Sequence, residues 1–280
     1  MIDEASLLTL LHDCQEYDIT NKDDLESLSR IYKYESCLVI EKSLLKDIVK
    51  SIQKDGFNNF SSLVYLLLHP NDHEAWNWRK RSRVNFQDDE KLTRIILLRK
   101  PRSSETLYHR YWLLRDSIDE RSSDEFDFLR QCASRYASNY ALWDTAFLHL
   151  EKQSILSFRN EFEKTLDWLG SNPLDNSASN YLFRILKLFD KTDFTHYSFL
   201  VYNFILKTLR HYPEAENLWM LRRALVEMSF QDDKTEIRDP IFLALKPAEI
   251  KPHDLHIKSA SEKFSDYFIF NYLNKQDSKC

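Results

Sequence analysis

The chain has 280 residues with a formal net charge of −5, and only two of its residues are glycine. Glycine supplies the tight turns and phosphate-cradling loops of nucleotide-binding sheets, so this composition and the lack of a G-x-G-x-x-G motif exclude an enzyme of that kind. The acidic balance also argues against bulk binding of nucleic acid, which requires a basic surface.

Residues 1–56 are predicted to form a helical flank. The patterns of residues 4–17 and 22–54 favour helices, but YESCLVI at 34–40 contains enough β-formers to leave an extended stretch open. The N-terminus carries acidic residues where a signal peptide needs basic ones, so we expect a cytoplasmic protein.

Residues 57–230 contain a repeat that is marked by a proline and an anchor residue six positions later. The prolines are Pro70, Pro101, Pro173 and Pro213, and their anchors are Trp76, Leu107, Ser179 and Trp219. A further copy keeps an anchor, Trp143, but has Ala137 in place of the proline. Successive anchors are 31, 36, 36 and 40 residues apart, so the proline–anchor interval is fixed while helix and loop lengths vary.

This pattern predicts an all-α fold, an α-α superhelix made of a crescent of about five helical-hairpin repeats. Each proline ends an apolar helical run, because it lacks an N–H and disfavours helix in the residue before it. In the next helix, the anchor and the residue three positions later share one face. These later residues are Arg79, Arg110 and Arg222 in three copies, and Ala146 and Leu182 in the other two. We expect the aromatic anchors to pack between helices and the arginines to join neighbouring repeats.

Residues 231–280 are predicted to form a loop-rich tail with one short helix at 264–273. No apolar run in the chain approaches the roughly 18–20 residues of a membrane span, so we expect no stable membrane insertion. The four cysteines are scattered without a C-x-x-C spacing, which argues against a metal site or a disulfide framework. The chain is thus expected to be one repeat domain with two flanks.

Charge is concentrated in one part of the repeat array. The segment 79–115 holds eleven Lys and Arg residues against four Asp and Glu residues. Solvated helix faces are the simpler interpretation, and an electropositive pocket for an anionic ligand is the sharper one.

Three copies of the repeat carry a family resemblance. The segments PNDHEAWNWR (70–79), RKPRSSETLYHRYWLL (99–114) and PEAENLWMLRRALV (213–226) resemble the repeat of protein prenyltransferase α-subunits, whose pattern is roughly P-x-N-Y-x-A-W-x-x-R. The second of these segments looks most like a divergent member of that family. The resemblance covers roughly residues 60–230.

The resemblance implies a partner and a reaction. An α-subunit of this family wraps around a β-subunit, here expected to be of the Rab geranylgeranyltransferase type, which holds the catalytic zinc and the isoprenoid cavity. No cofactor is then expected in this chain. The implied function is that of the α-subunit of a heterodimeric protein geranylgeranyltransferase. Its substrates would be an isoprenoid diphosphate and a protein with a C-terminal cysteine.

The resemblance also implies site residues. A family lysine that faces the diphosphate corresponds to Arg102, which keeps the charge and could offset the charge that develops on the leaving group. A family tyrosine near the diphosphate corresponds to Tyr140. Arg102 and Tyr140 are thus the predicted catalytic residues, and Asn139 and His109 are the predicted substrate-binding residues. The chain departs from the family at Ser104, which replaces another tyrosine of the constellation.

Two alternatives remain open. The first is a non-catalytic interaction scaffold of tetratricopeptide type, which does not combine this proline, anchor and arginine spacing. The second is a half-tetratricopeptide array of the RNA-processing type, which the net acidity disfavours. A self-contained enzyme is disfavoured because the sequence shows no nucleophile–base pair or metal-ligand set.

Overall fold

A computed structural model describes residues 7, 9–10, 13–20, 31–115 and 118–231. The chain divides into two compact units, 1–152 and 153–280. Most of the described residues are helical, which confirms the predicted all-α helical-repeat fold. The tail predicted at 231–280, with its helix at 264–273, lies outside the described residues except for Gln231.

The first unit contains a small sheet within the segment that was expected to be a helical flank. Strands β1 (Glu16–Thr20), β2 (Ile31–Tyr34) and β3 (Cys37–Glu41) lie in the order β1-β3-β2, with β1 parallel and β2 antiparallel to β3. The central strand is β3, the stretch that the sequence left open, and its apolar run from Leu38 to Ile40 is buried. The described residues 7, 9, 10 and 13 are helical.

Helix α1 (Lys42–Asp55) follows β3 directly and joins the sheet to the repeat array. The sheet, α1 and the first repeats share one apolar core. Within it the hydroxyl of Tyr17 donates to the carbonyl of Leu67 at 2.5 Å, which ties β1 to the first repeat helix.

Five helical hairpins follow, each made of an A helix and a B helix. Their bounds are Asn59–Leu68 (α2) and His73–Ser82 (α3), Phe86–Arg99 (α4) and Ser104–Leu114 (α5), Ile118–Arg135 (α6) and Tyr140–Leu150 (α7), Ile155–Ser171 (α8) and Asn176–Leu186 (α9), and Lys191–Leu209 (α10) and Glu216–Gln231 (α11). Every predicted anchor is the fourth residue of its B helix, so the sequence register and the structural register agree.

The prolines occupy the second position of the turn between the A and B helices. In all four proline-containing copies, a backbone hydrogen bond of 3.0–3.1 Å closes this turn. The N–H of the residue two positions after the proline donates to the carbonyl of the residue before the proline. The copy without proline turns differently, with Ser138 in the left-handed region at φ 56°. The hairpins therefore form without proline, but with a different local backbone.

Within the first unit, A helices contact A helices and B helices contact B helices. The A layer consists of α2, α4 and α6, and the B layer consists of α3, α5 and α7. Within the second unit, α8 pairs with α9, α10 pairs with α11, and the B helices α9 and α11 contact each other. No helix among the described residues is both long and apolar enough to cross a bilayer.

Candidate functional site

The tryptophan anchors lock the hairpin turns. The indole Nε1 of Trp76 donates to the carbonyl of Pro70 at 2.8 Å, and that of Trp219 donates to the carbonyl of Pro213 at 2.9 Å. Both bonds join residues six apart, so the indole fixes the proline–anchor interval in these two copies. Leu107 and Ser179 keep the same interval without an indole N–H. A buried indole N–H needs such an acceptor, and the turn carbonyl supplies it.

Neighbouring turns are also tied to one another. The hydroxyls of Ser103 and Thr106 both donate to the carbonyl of Pro70 in the preceding repeat. The side-chain amide of Asn139 donates to the carbonyl of Pro101 at 2.5 Å. In the second unit, the side-chain amide of Asn217 donates to the carbonyl of Pro173 at 2.8 Å. Polar residues at the start of each of these B helices thus set the stacking of one repeat on the next.

Arg79 connects three helices and is 1% exposed. Its Nε pairs with the Oδ1 atom of Asp89 on α4 at 2.5 Å, while Nη1 donates to Asn59 and Ser62 on α2. The arginine thus binds its own A helix and the A helix of the next repeat.

Arg110 repeats this arrangement one hairpin later. Its guanidinium pairs with the Glu125 carboxylate on α6, with Nε–Oε1 at 2.8 Å and Nη2–Oε2 at 2.6 Å. Its Nη1 donates to the carbonyl of Glu90 and to Thr93 on its own A helix. Burial alone would lower the pKa of Arg110, but the facing Glu125 outweighs it and raises the pKa. In the next two copies the position holds buried Ala146 and Leu182, which cannot make this clamp.

His109 lies in the core of the first unit and not at a surface that a substrate could reach. Its side chain is 0% exposed and stacks on Trp76 with ring centroids 4.3 Å apart. Burial lowers the pKa of His109 against the opposing effect of Asp89. The neutral ring can donate from Nε2 to Asp89 Oδ2, 2.9 Å away. This geometry makes His109 part of the Arg79 clamp and does not support the substrate-binding role expected for it.

Asn139 also has a structural position. It is 4% exposed and caps α7, since its side-chain oxygen accepts from the backbone N–H of Leu142. The same side chain holds the turn that carries Arg102, through the carbonyl of Pro101. Asn139 therefore links the Arg102 turn to the first turn of the helix that begins with Tyr140.

Arg102 and Tyr140 both lie at the exposed edge where the B helices begin. The Arg102 guanidinium sits 4.7 Å from the ring centroid of Tyr136, and its Nη1 donates to the Tyr136 hydroxyl at 2.9 Å. Tyr140 is 59% exposed. Tyr136 holds the cation in place, a role that the sequence did not indicate because Tyr136 precedes the one turn without a proline.

A second cation, Lys80 on α3, was not predicted as a site residue. The Lys80 Nζ lies 4.8 Å from the ring centroid of Tyr108 and 5.5 Å from that of Trp112, both on the next B helix. Burial lowers the pKa of Lys80, the charge of Glu105 opposes this, and Arg115 adds to the lowering. Tyr108 itself remains 59% exposed. Lys80 and Arg102 thus each form cation–aromatic contacts in the first unit. We use the name B-helix face for the residues that form these contacts or lie beside them on a B helix or in the turn before it, which are Lys80, Arg102, Tyr108, Trp112, Tyr136 and Tyr140.

The basic segment 79–115 resolves into separate roles. Arg79 and Arg110 are buried against carboxylates, and Arg99 pairs with Asp18 of β1 at 2.8 Å. Lys80 and Arg102 remain on the B-helix face. In the part of the chain that the structure describes, no group of His, Cys, Asp or Glu residues could hold a metal ion.

Curated relatives agree with the resemblance found in the repeats. The chain is 28% identical over 151 residues to the protein named "Protein prenyltransferase alpha subunit repeat-containing protein 1" of Homo sapiens, a match that covers 44% of the chain and 38% of that relative. The protein of the same name from Danio rerio is 28% identical over 156 residues, or 45% of the chain and 37% of the relative. The matched part thus spans little more than a third of these relatives. No family model matches the chain.

Proposed function

We propose that this chain is the α-subunit of a heterodimeric protein geranylgeranyltransferase and has no independent activity. The names of its relatives indicate a prenyltransferase α-subunit-like repeat protein, and the five hairpins have the fold that such a protein needs. The partner in this proposal is a β-subunit of the Rab geranylgeranyltransferase type. That subunit would bring the zinc and the isoprenoid cavity, and the substrate would be a protein with a C-terminal cysteine.

The B-helix face is the observation that carries the proposal. It leaves Tyr108 and Tyr140 more than half exposed and places Lys80 and Arg102 beside aromatic rings. Tyrosine, tryptophan and arginine are enriched among the residues that dominate the energy of protein interfaces. Tyrosine and tryptophan bury large areas with few rotatable bonds, and arginine adds several hydrogen-bond donors. Exposed residues of these kinds support a role in docking a large partner.

Burial distinguishes the roles of the arginines. Arg79 and Arg110 are buried inside the repeat stack and each is paired with a carboxylate, so they stabilise the scaffold. Arg102 is exposed, and its planar guanidinium can meet phosphate oxygens once a partner closes over it. In the proposed reaction it offsets charge that develops on the diphosphate, and Tyr136 orients it for this.

Affinity isolation of the tagged full chain from cells, followed by mass spectrometry, tests the proposed partner. We expect a prenyltransferase β-subunit in near-equal amount. A double variant, Tyr108→Ala with Tyr140→Ala, should lose this partner while its circular dichroism stays unchanged. Recovery of other proteins without any prenyltransferase β-subunit would contradict the proposal and favour the non-catalytic scaffold.

Prenyl transfer by the reconstituted heterodimer tests the role of Arg102. We expect Arg102→Ala to lower kcat about 10-fold to 100-fold, since a hydrogen bond to a charged group is worth about 1.5–3 kcal/mol. The heterodimer should still assemble. Arg210→Ala, an exposed arginine of the second unit, is the matched control and should leave turnover unchanged. Equal turnover of the two variants would reduce Arg102 to a surface residue.

A further inference from the structure

Helix α1 carries a row of lysines along its exposed side. Lys42, Lys46, Lys50 and Lys54 follow one another at intervals of four residues, and all four are exposed. At 1.5 Å per residue the row spans about 18 Å, and at 100° per residue it covers an arc of about 120°. The four ammonium groups therefore share one side of the helix.

The opposite side of α1 is committed to the core. Ile48 is 6% exposed and belongs to the core of the first unit, and Leu44 and Ile52 pack against that core. Because these three side chains are occupied, α1 cannot bury them in a bilayer or in the groove of another protein. Any partner of the lysine row must bind through charge.

Two acids on α1 accompany the row. Asp47 lies at the edge of the lysine arc, and Asp55 lies on the far side of the helix at its last turn. None of the four lysines forms an ion pair with another residue that the structure describes. The row is thus a local excess of positive charge on a chain whose net charge is −5.

We propose that the lysine row of α1 binds the headgroups of an anionic phospholipid membrane. Lysines near an anionic leaflet each add to binding, and four of them on one side of a straight helix can meet a flat charged surface at the same time. The binding is peripheral, since Leu44, Ile48 and Ile52 are already packed in or against the core.

The chemistry of the row favours lipid over nucleic acid. It has no arginine for bidentate recognition of bases or phosphates, and the other residues in its arc, Ser43 and Gln53, offer no ring on which bases could stack. Strong point charges without stacking groups suit a headgroup surface. This inference does not depend on the proposed transferase function.

Co-sedimentation of the full chain with vesicles tests the inference. We expect binding to vesicles of phosphatidylcholine with about 30% phosphatidylserine, no binding to pure phosphatidylcholine, and weakening as the salt concentration rises. The variant Lys46→Gln with Lys50→Gln should bind about 30-fold more weakly. The control variant Lys187→Gln with Lys207→Gln changes the net charge equally on exposed positions of the second unit and should bind like the original chain.

Three outcomes would overturn the inference. They are equal binding to both kinds of vesicle, equal losses in the two double variants, and binding of a single-stranded RNA oligonucleotide that exceeds vesicle binding at the same salt and disappears in Lys46→Gln with Lys50→Gln. The last outcome would assign the row to nucleic acid. Circular dichroism of the variants confirms that the fold is unchanged, which is expected because all the substituted lysines are exposed.

Discussion

Replacing Arg110 with methionine tests the clamp between the second and third repeats. In the original chain, Arg110 donates two hydrogen bonds to the Glu125 carboxylate, from Nη2 to Oε2 at 2.6 Å and from Nε to Oε1 at 2.8 Å. The substitution removes both. Glu125 is only 3% exposed and would be left as a buried charge without its partner. Thr93 and the carbonyl of Glu90 would lose a donor as well.

Breaking a buried ion pair by removing one partner costs about 3–5 kcal/mol, because the remaining charge stays desolvated. With an m-value of about 2 kcal/mol per M, the urea midpoint of the first unit should fall by roughly 1.5–2.5 M. Replacing both partners, as in Arg110→Met with Glu125→Leu, removes the uncompensated charge. The double variant should therefore be more stable than either single variant.

Equilibrium unfolding in urea, followed by far-ultraviolet circular dichroism and tryptophan fluorescence, measures these differences. Arg159→Met is the control, since the Nη2 atom of Arg159 contacts both carboxylate oxygens of Asp193, but the Arg159 side chain is 45% exposed. Its midpoint should not change, because exposed pairs contribute little. If the free energy of unfolding of the double variant fell by the sum of the two single-variant losses, Arg110 and Glu125 would not be a coupled pair and the reasoning would be wrong.

Three further predictions concern single positions. Trp76→Phe removes the donor to the Pro70 carbonyl and should lower the free energy of unfolding by about 1–2 kcal/mol in the same assay, whereas no change would show that the turn lock is dispensable. Ser138→Gly relieves a left-handed backbone and should raise the free energy of unfolding by about 0.5–1 kcal/mol, and a loss would argue against strain at that turn. Burial lowers the pKa of His149 to about 4, so the stability that it contributes is present above about pH 6.5 and is lost as the pH falls toward 4. The original chain should lose about 2 kcal/mol between pH 8 and pH 5 that His149→Phe does not lose, and equal pH profiles would contradict this.

The repeat register could be predicted because its causes are local. Proline ends a helix wherever it occurs, and the bonds from Trp76 to Pro70 and from Trp219 to Pro213 are each made within six residues. The sheet could not be predicted, since β3 takes its direction from pairing with Glu16–Thr20 about 20 residues earlier. A short apolar run such as 37–41 fits a strand or a buried helix equally well until that pairing is known.

The site could be predicted only in part for a related reason. The sequence register places Arg102 and Tyr140 at the start of B helices, and the structure leaves both exposed there. The burial of His109 depends on Asp89, 20 residues away on another helix, and on the face of Trp76. The rings beside Lys80, those of Tyr108 and Trp112, belong to the next repeat, so no local sequence pattern predicts this contact.

Direct binding between this chain and a recombinant β-subunit of the Rab geranylgeranyltransferase type tests the central claim. Titration calorimetry of the two purified proteins should show a one-to-one complex. Tyr108→Ala with Tyr140→Ala should weaken its affinity at least about 10-fold, since each exposed aromatic anchor of an interface contributes roughly 1 kcal/mol or more. The absence of heat and of a co-eluting complex, with both proteins folded and at tens of micromolar concentration, would contradict the claim.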